Sequence, residues 1–159
     1  MPEIGKPAVV LVDDEEMILT SIRTLLMLET DYSVEGFTNP HDAVRHLEKN
    51  PVAVIVSDYL MPGMTGIQVL AKGKELQPEA SRILLTGHAD KSSAIQAINE
   101  VSLFQYLEKP WDNAQLLLVI QQGVERAGLL RELREKIAEL DTAHSTLKNT
   151  QSRLIKASL

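Results

Sequence analysis

Three short runs, "AVVLV" (8–12), "VAVIV" (52–56) and "RILL" (82–85), lack the polar alternation of a half-exposed strand. Strands of that kind are covered on both faces, which is the habit of parallel sheets flanked by helices. Two further runs, "YSVEGF" (32–37) and "FQYL" (104–107), complete a set of five. Helical patterns lie between them. Ile18, Ile22, Leu25 and Leu26 mark the first, and Ala43, Val44 and Leu47 follow Pro40 in the second, with Asn39 as the cap. Ala94, Ala97, Ile98 and Val101 fall at i, i+3, i+4 and i+7, one face of a helix. The order is (βα) five times over. Right-handed crossovers turn that order into a doubly wound α/β domain.

The pattern changes after Trp111, which is expected to anchor the start of a last helix rather than stack on a ligand. From Asp112 onward there is no strand signal, no proline and no turn cluster. Gly123 and Gly128 are expected to weaken this helix by roughly 1 kcal/mol each relative to alanine. Beyond them a heptad emerges, with Leu130, Ile137, His144 and Gln151 at a, and Leu133, Leu140, Leu147 and Leu154 at d. Ile at a with Leu at d suits a parallel two-stranded coiled coil, and Lys136 at g would meet Asp141 at e of a second chain. Two polar a positions leave the seam only moderately stable. An amphipathic helix folding back on its own domain is the alternative. The expected division is therefore a domain over 1–125 and a helical linker or dimerisation segment over 126–159, the seam of 130–154 reaching about 35–40 Å.

With 159 residues, 44% hydrophobic and 24% charged, the chain is long enough for a substantial core. A net charge of −6 argues against a broad nucleic-acid or anionic-membrane surface. No cysteine is present, so disulfide and thiol chemistry are excluded. The longest early apolar run is far too short for a membrane span, and a cytoplasmic protein is expected.

Open parallel sheets carry their functional groups just beyond the carboxyl ends of the strands. Those positions are Asp13 and Asp14 after the first strand, Asp58 after the third, Thr86 after the fourth and Lys109 closing the fifth. Three gathered carboxylates repel one another unless a cation sits among them. Carboxylate oxygens suit Mg²⁺, which takes few protein ligands and keeps several waters. Singly, each feature has a plainer reading: an Asp pair caps helices, Thr-Gly makes turns and Lys-Pro ends strands. Together, at one end of four strands, they point to a divalent ion held by two or three aspartates, with one position open for a substrate oxygen.

The segments "VVLVDDEE", "VSDYLMPGMTG", "LLTGHAD" and "YLEKPW" resemble, in order, the signature segments of the response-regulator receiver domain of two-component signalling. The resemblance covers residues 7 to about 125. It implies a flavodoxin-like five-stranded sheet of order 2-1-3-4-5, followed here by the long C-terminal helix. It implies Asp58 as the phosphoacceptor and Asp14 as a direct Mg²⁺ ligand. Asp13 would act mainly through water, and the backbone carbonyl of Leu60 would complete the protein ligands. Thr86 would be the switch hydroxyl, Lys109 the phosphate-pairing cation and Tyr106 the aromatic that changes rotamer, although an ordinary half-buried strand residue is the plainer reading of Tyr106. Gly87 would leave room for the phosphoryl group. The family's Lys-Pro bond is commonly cis, so Lys109–Pro110 is a candidate for that geometry. The partners implied are a sensor histidine kinase or phosphotransfer protein.

His88 borders the site or is a solvated loop residue, while His41, His46 and His144 show no metal-ligand spacing. Two other function classes stay open from the residues alone. One is a Mg²⁺-dependent phosphatase with an aspartyl nucleophile, against which there is no second acid/base group near Asp58. The other is an unphosphorylated pseudo-receiver acting as an interaction module, against which stands the full set Asp13, Asp14, Asp58, Thr86 and Lys109. No enzyme activity beyond self-phosphorylation and autodephosphorylation is expected. The segment "LKNTQSRLIKASL" resembles connectors that lead into effector domains, and the expectation is that the chain is the N-terminal part of a longer signalling protein.

Overall fold

The computed structural model describes residues 5–158, apart from the side chains of His88, Ala97, Ala157 and Ser158. The expectations placed on His88 and Ala97 therefore lie outside the described residues. The chain runs β1 (Ala8–Val12), α1 (Glu16–Glu29), β2 (Ser33–Phe37), α2 (Pro40–Lys49), β3 (Val54–Asp58), α3 (Gly66–Leu76) and β4 (Ser81–Thr86). A short 3-10 turn (His88–Asp90) leads into α4 (Lys91–Val101), β5 (Gln105–Glu108) and α5 (Asn113–Ser158). All five strands are parallel and lie in the order β2-β1-β3-β4-β5, as expected.

Alternate residues of each strand feed two apolar layers. Val10, Val12, Ile55 and Leu84 pack with Leu47 of α2, Val69 and Leu70 of α3, and Ala94 and Val101 of α4. Val9, Leu11, Val54, Val56, Ile83 and Leu85 pack with Leu19, Ile22 and Leu26 of α1, and Leu116, Val119 and Ile120 of α5. Trp111 packs against this second layer at the start of α5. Each fully buried Leu, Ile or Val contributes roughly 1.5–3 kcal/mol relative to exposure, so the sheet is the rigid body on which loops are held.

The third strand begins two residues later than its apolar run and ends on Asp58. Val52 is drawn out of the ladder because its amide donates to Gln77 Oε1 (2.8 Å). The same Gln77 amide group donates to the carbonyls of Leu47 (2.8 Å) and Asn50, tying the end of α2 to the start of β3. Helix α2 starts as expected, with Asn39 accepting from the His41 amide. Helix α3 opens with a capping box between Thr65 and Gln68, which fixes its first turn beside Asp58.

Gly123 has a packing role besides its expected helix cost: a Cβ there would lie 3.2 Å from both Ser81 Cβ and Val54 Cγ2, and its carbonyl accepts from Ser81 Oγ (2.7 Å). Gly128, by contrast, has open space around it.

The chain divides into two units, Met1–Ala127 and Gly128–Leu159. The second is the helical continuation of α5, and its Leu133, Ile137, Leu140, Leu147 and Leu154 are each more than half exposed. No described helix is long and apolar enough to cross a membrane.

Candidate functional site

The parallel register brings four strand ends to one rim. Val12 aligns with Ser57, Asp58 with Leu85, and Thr86 with Glu108, so Asp13, Asp58, Thr86 and Lys109 emerge side by side. Backbone bonds lock that rim. The Asp13 amide donates to Phe37 O (3.1 Å), Tyr59 N–H to Leu85 O (3.0 Å) and Lys109 N–H to Thr86 O (2.7 Å). The Lys109–Pro110 bond is cis.

Carboxylate oxygens of Asp13, Asp14 and Asp58 lie within 4.8 Å of one another. Lys109 Nζ sits 2.9 Å from Asp58 Oδ1 and 3.8 Å from Asp13 Oδ2. Asp13 is 1% exposed, and the two oxygens of its carboxylate differ sharply in their surroundings. Oδ1 accepts the Glu15 amide (2.9 Å), while Oδ2 is buried with no hydrogen-bond partner among the described residues. Burial pushes the Asp13 carboxyl up from 3.8 to about 6; the Glu15 amide opposes this, Asp58 reinforces it and Lys109 opposes it. Lys109 moves the other way from what burial alone would do. Burial lowers it, but the hydrogen bond and charge of Asp58, with Asp13 and Glu15, outweigh burial and raise it above 10.5.

An orphaned, buried carboxylate oxygen beside two other carboxylates is an all-oxygen donor set, and it fits a hard divalent ion such as Mg²⁺. Asp14 is exposed and open to solvent. Leu60 carries its side chain out into solvent on the loop after β3. Thr86 is fully buried, with Oγ1 3.5 Å from Leu107 O, a long contact that leaves the hydroxyl weakly held. Tyr106 aligns with Leu84 and packs half-buried against the α2–α3–α4 layer. At Gly87 the nearest neighbour a Cβ would meet is the Asp90 carboxylate, 3.3 Å away.

Two positioning residues escaped the sequence reading. Ser57 is buried and donates to Asp58 O (3.0 Å). Gly66 brings the start of α3 so near that a Cβ would overlap Asp58 O and lie 3.0 Å from Leu84 Cδ1. Its own amide donates to Tyr59 O (2.8 Å). The pattern Thr65-x-x-Gln68 is the sequence signal that could have placed this helix start.

The raised Asp13 carboxyl has a measurable consequence. Between about pH 4 and 6 the folded metal-free protein holds a proton that the unfolded chain has lost, so stability falls as pH rises through that window. The expected loss, on the order of 2 kcal/mol, is complete above the folded value. Urea denaturation in chelator at pH 4.5 and 7.5 measures it, and Asp13→Asn is expected to flatten the difference.

The response regulator receiver domain family matches residues 9–121. The chain belongs to that family. The hydrogenase transcriptional regulatory protein HoxA of Cupriavidus necator is 32% identical over 145 residues, which is 91% of this chain and 30% of that protein. The receiver domain of an HD domain-containing protein from Pseudomonas fluorescens superposes with a TM-score of 0.72 at 34% identity, covering 77% of this chain and 98% of that one. A structure described as an adenylate cyclase from Rhodopirellula baltica gives a TM-score of 0.78 at 28% identity, covering 83% and 97%. The receiver fold thus accounts for the sheet and its helices, while the chain spans between 25% and 32% of the length of the curated relatives it first matches.

Proposed function

We propose that the receiver accepts a phosphoryl group on Asp58 from a histidine kinase or phosphotransfer protein and relays the change through its C-terminal helix. The observation that carries this reading is the orphaned Asp13 oxygen facing a cluster in which Lys109 already holds Asp58 at 2.9 Å. Asp13, Asp14, Asp58 and the Leu60 carbonyl are the groups to hold Mg²⁺. When bound, that ion supplies charge neutralisation for the transferring phosphoryl oxygens. An Asp58 oxygen forms a bond to phosphorus as the bond to the donor's imidazole nitrogen, or to a small donor's oxygen, breaks. Lys109 keeps Asp58 aimed and then pairs with a phosphoryl oxygen.

Thr86, weakly held at 3.5 Å, is free to turn and donate to the phosphoryl group. Tyr106 then fills the space it leaves, and Gly87, lacking a side chain, leaves room for the phosphoryl group. On this reading residues 1–125 are the phosphoacceptor domain and 126–159 the output segment in a cytoplasmic protein. The exposed Leu/Ile stripe of 130–154 pairs with a second copy in parallel, Lys136 meeting Asp141, and passes the signal to that copy or to a downstream effector domain.

Acetyl phosphate with Mg²⁺ tests it. One group of about 80 daltons, a single phosphoryl unit, is expected on the peptide containing Asp58 and lost on mild base treatment. No adduct overturns the reading. Steady hydrolysis of a phosphomonoester without a stable adduct would instead favour an aspartyl phosphatase.

A further inference from the structure

Two polar residues interrupt the apolar stripe of the C-terminal helix. From 131 to 156 every side chain is exposed, and Leu133, Ile137, Leu140, Leu147 and Leu154 lie along one stripe. His144 and Gln151 stand in that stripe, both at a positions and one heptad apart. A helix alone in water gains nothing from five large apolar side chains on one side. A helix packed on an ordinary apolar surface would lose by carrying an imidazole and an amide into the contact.

A second copy in parallel accommodates both, because identical residues then face one another in every a layer. Gln151 meets the partner's Gln151, and each amide can donate to and accept from the other. His144 meets the partner's His144. A neutral imidazole also carries one donor and one acceptor, so two neutral rings can bond, whereas two protonated rings only donate, and repel. In an antiparallel pair over the same span, His144 would face the partner's Leu140 instead. Charged neighbours of the imidazole are few. On its own chain Asp141 lies three residues before it and Lys148 four after, both at e on the flank of the seam. Across the seam lie the partner's Leu140, Ala143 and Leu147 and the partner's His144. Asp141 is also the residue that the partner's Lys136 would engage, although within one chain Lys136 lies 3.7 Å from Glu139.

We propose that the His144 layer makes self-pairing of the C-terminal helix acid-sensitive: the seam closes between two identical chains while both imidazoles are neutral and opens when they are protonated. This rests on the parallel pairing proposed above. Histidine is the side chain whose charge ordinarily changes between about pH 5 and 8. Closing the seam takes both rings out of water and sets them side by side. The charged form is therefore penalised twice, by desolvation and by mutual repulsion. The dimer binds fewer protons than two separate chains, so its dissociation constant rises as pH falls through that window.

Sedimentation equilibrium of the full chain at fixed ionic strength, between about pH 8 and 5.5, reads this directly. The dissociation constant of the unaltered protein is expected to rise by about tenfold or more towards the acid end. Asp13 of the receiver titrates in the same range, so variants isolate the seam. His144→Ile is expected to pair more tightly and to lose most of the pH dependence, and His144→Asn to pair more weakly with the same loss. The chain has no cysteine, so Leu147→Cys reports alignment. Parallel chains in register are expected to give a disulfide-linked dimer on mild oxidation, while antiparallel chains hold the two thiols apart. A dissociation constant that does not change with pH, or a pH dependence that survives in His144→Ile, overturns the acid switch and leaves the pairing standing. A dimer that Leu147→Cys fails to link overturns the side-by-side imidazoles. A monomer at every pH, in the unaltered protein and in His144→Ile alike, overturns the pairing first, and the switch with it.

Discussion

Asp58→Asn is expected to abolish phosphoryl uptake outright while leaving the fold intact. The amide is close in size to the carboxylate, so the packing beside Ser57 and the start of α3 is preserved. What disappears is the nucleophile, for an amide oxygen does not form a stable anhydride with phosphorus. Stability is expected to change little, by about 1 kcal/mol or less, because two effects oppose one another. Lys109 loses its 2.9 Å partner, but its amine is partly solvated and Asp13 lies at 3.8 Å to accept it. Asp13 loses a repelling neighbour, so its carboxyl moves down from about 6 and the acid-side stability slope shrinks. Intact mass after acetyl phosphate treatment checks the first outcome and urea melts at two pH values the second. An adduct of unchanged yield on the asparagine variant would move the acceptor to another residue.

Gly66→Ala is expected to destabilise the domain by about 2–4 kcal/mol, lowering Tm by about 5–12 °C. The added methyl would overlap the Asp58 carbonyl oxygen, which is backbone and cannot rotate away. Relief requires α3 to retreat from the sheet, loosening Val69 and Leu70, both fully buried. The acceptor residue is then displaced as well, so phosphoryl uptake is expected to slow by at least about tenfold even below the melting range. Gly128→Ala is the matched control. With nothing within 4 Å and a helical backbone, the same methyl is expected to stabilise α5 by about 0.5–1 kcal/mol. Equal effects at the two positions, read by thermal melts, would contradict the close approach at Gly66.

The rim of acids and lysine was legible before any coordinates because a parallel sheet leaves its chemistry little choice of place. Apolar runs end, the next residue is polar, and all such ends share one side. What pairing distance cannot convey is which oxygen is left over. The asymmetry of Asp13, with one oxygen bonded to Glu15 and the other bare, depends on a single turn of backbone. Strand boundaries drifted where a side chain outcompeted the ladder, as Gln77 does for the Val52 amide. Arg82 was absorbed into an apolar run, because two of its four carbonyl acceptors, Val101 and Ser102, reach it only through tertiary packing. Gly123 read as a helix defect for the same reason, since Ser81 and Val54 enter only through tertiary packing.

The bare leucines of the C-terminal helix, from Leu133 to Leu154, have a consequence for how such a protein can diversify. Side chains exposed in the single chain do not contribute to holding the sheet together. On the proposed reading, changes among them alter which partner the helix pairs with and leave the acidic rim as it is. The proposed address and the proposed trigger then occupy separate stretches of chain, and grafting a different stripe onto the same acidic rim is expected to redirect the message while the rim keeps its chemistry.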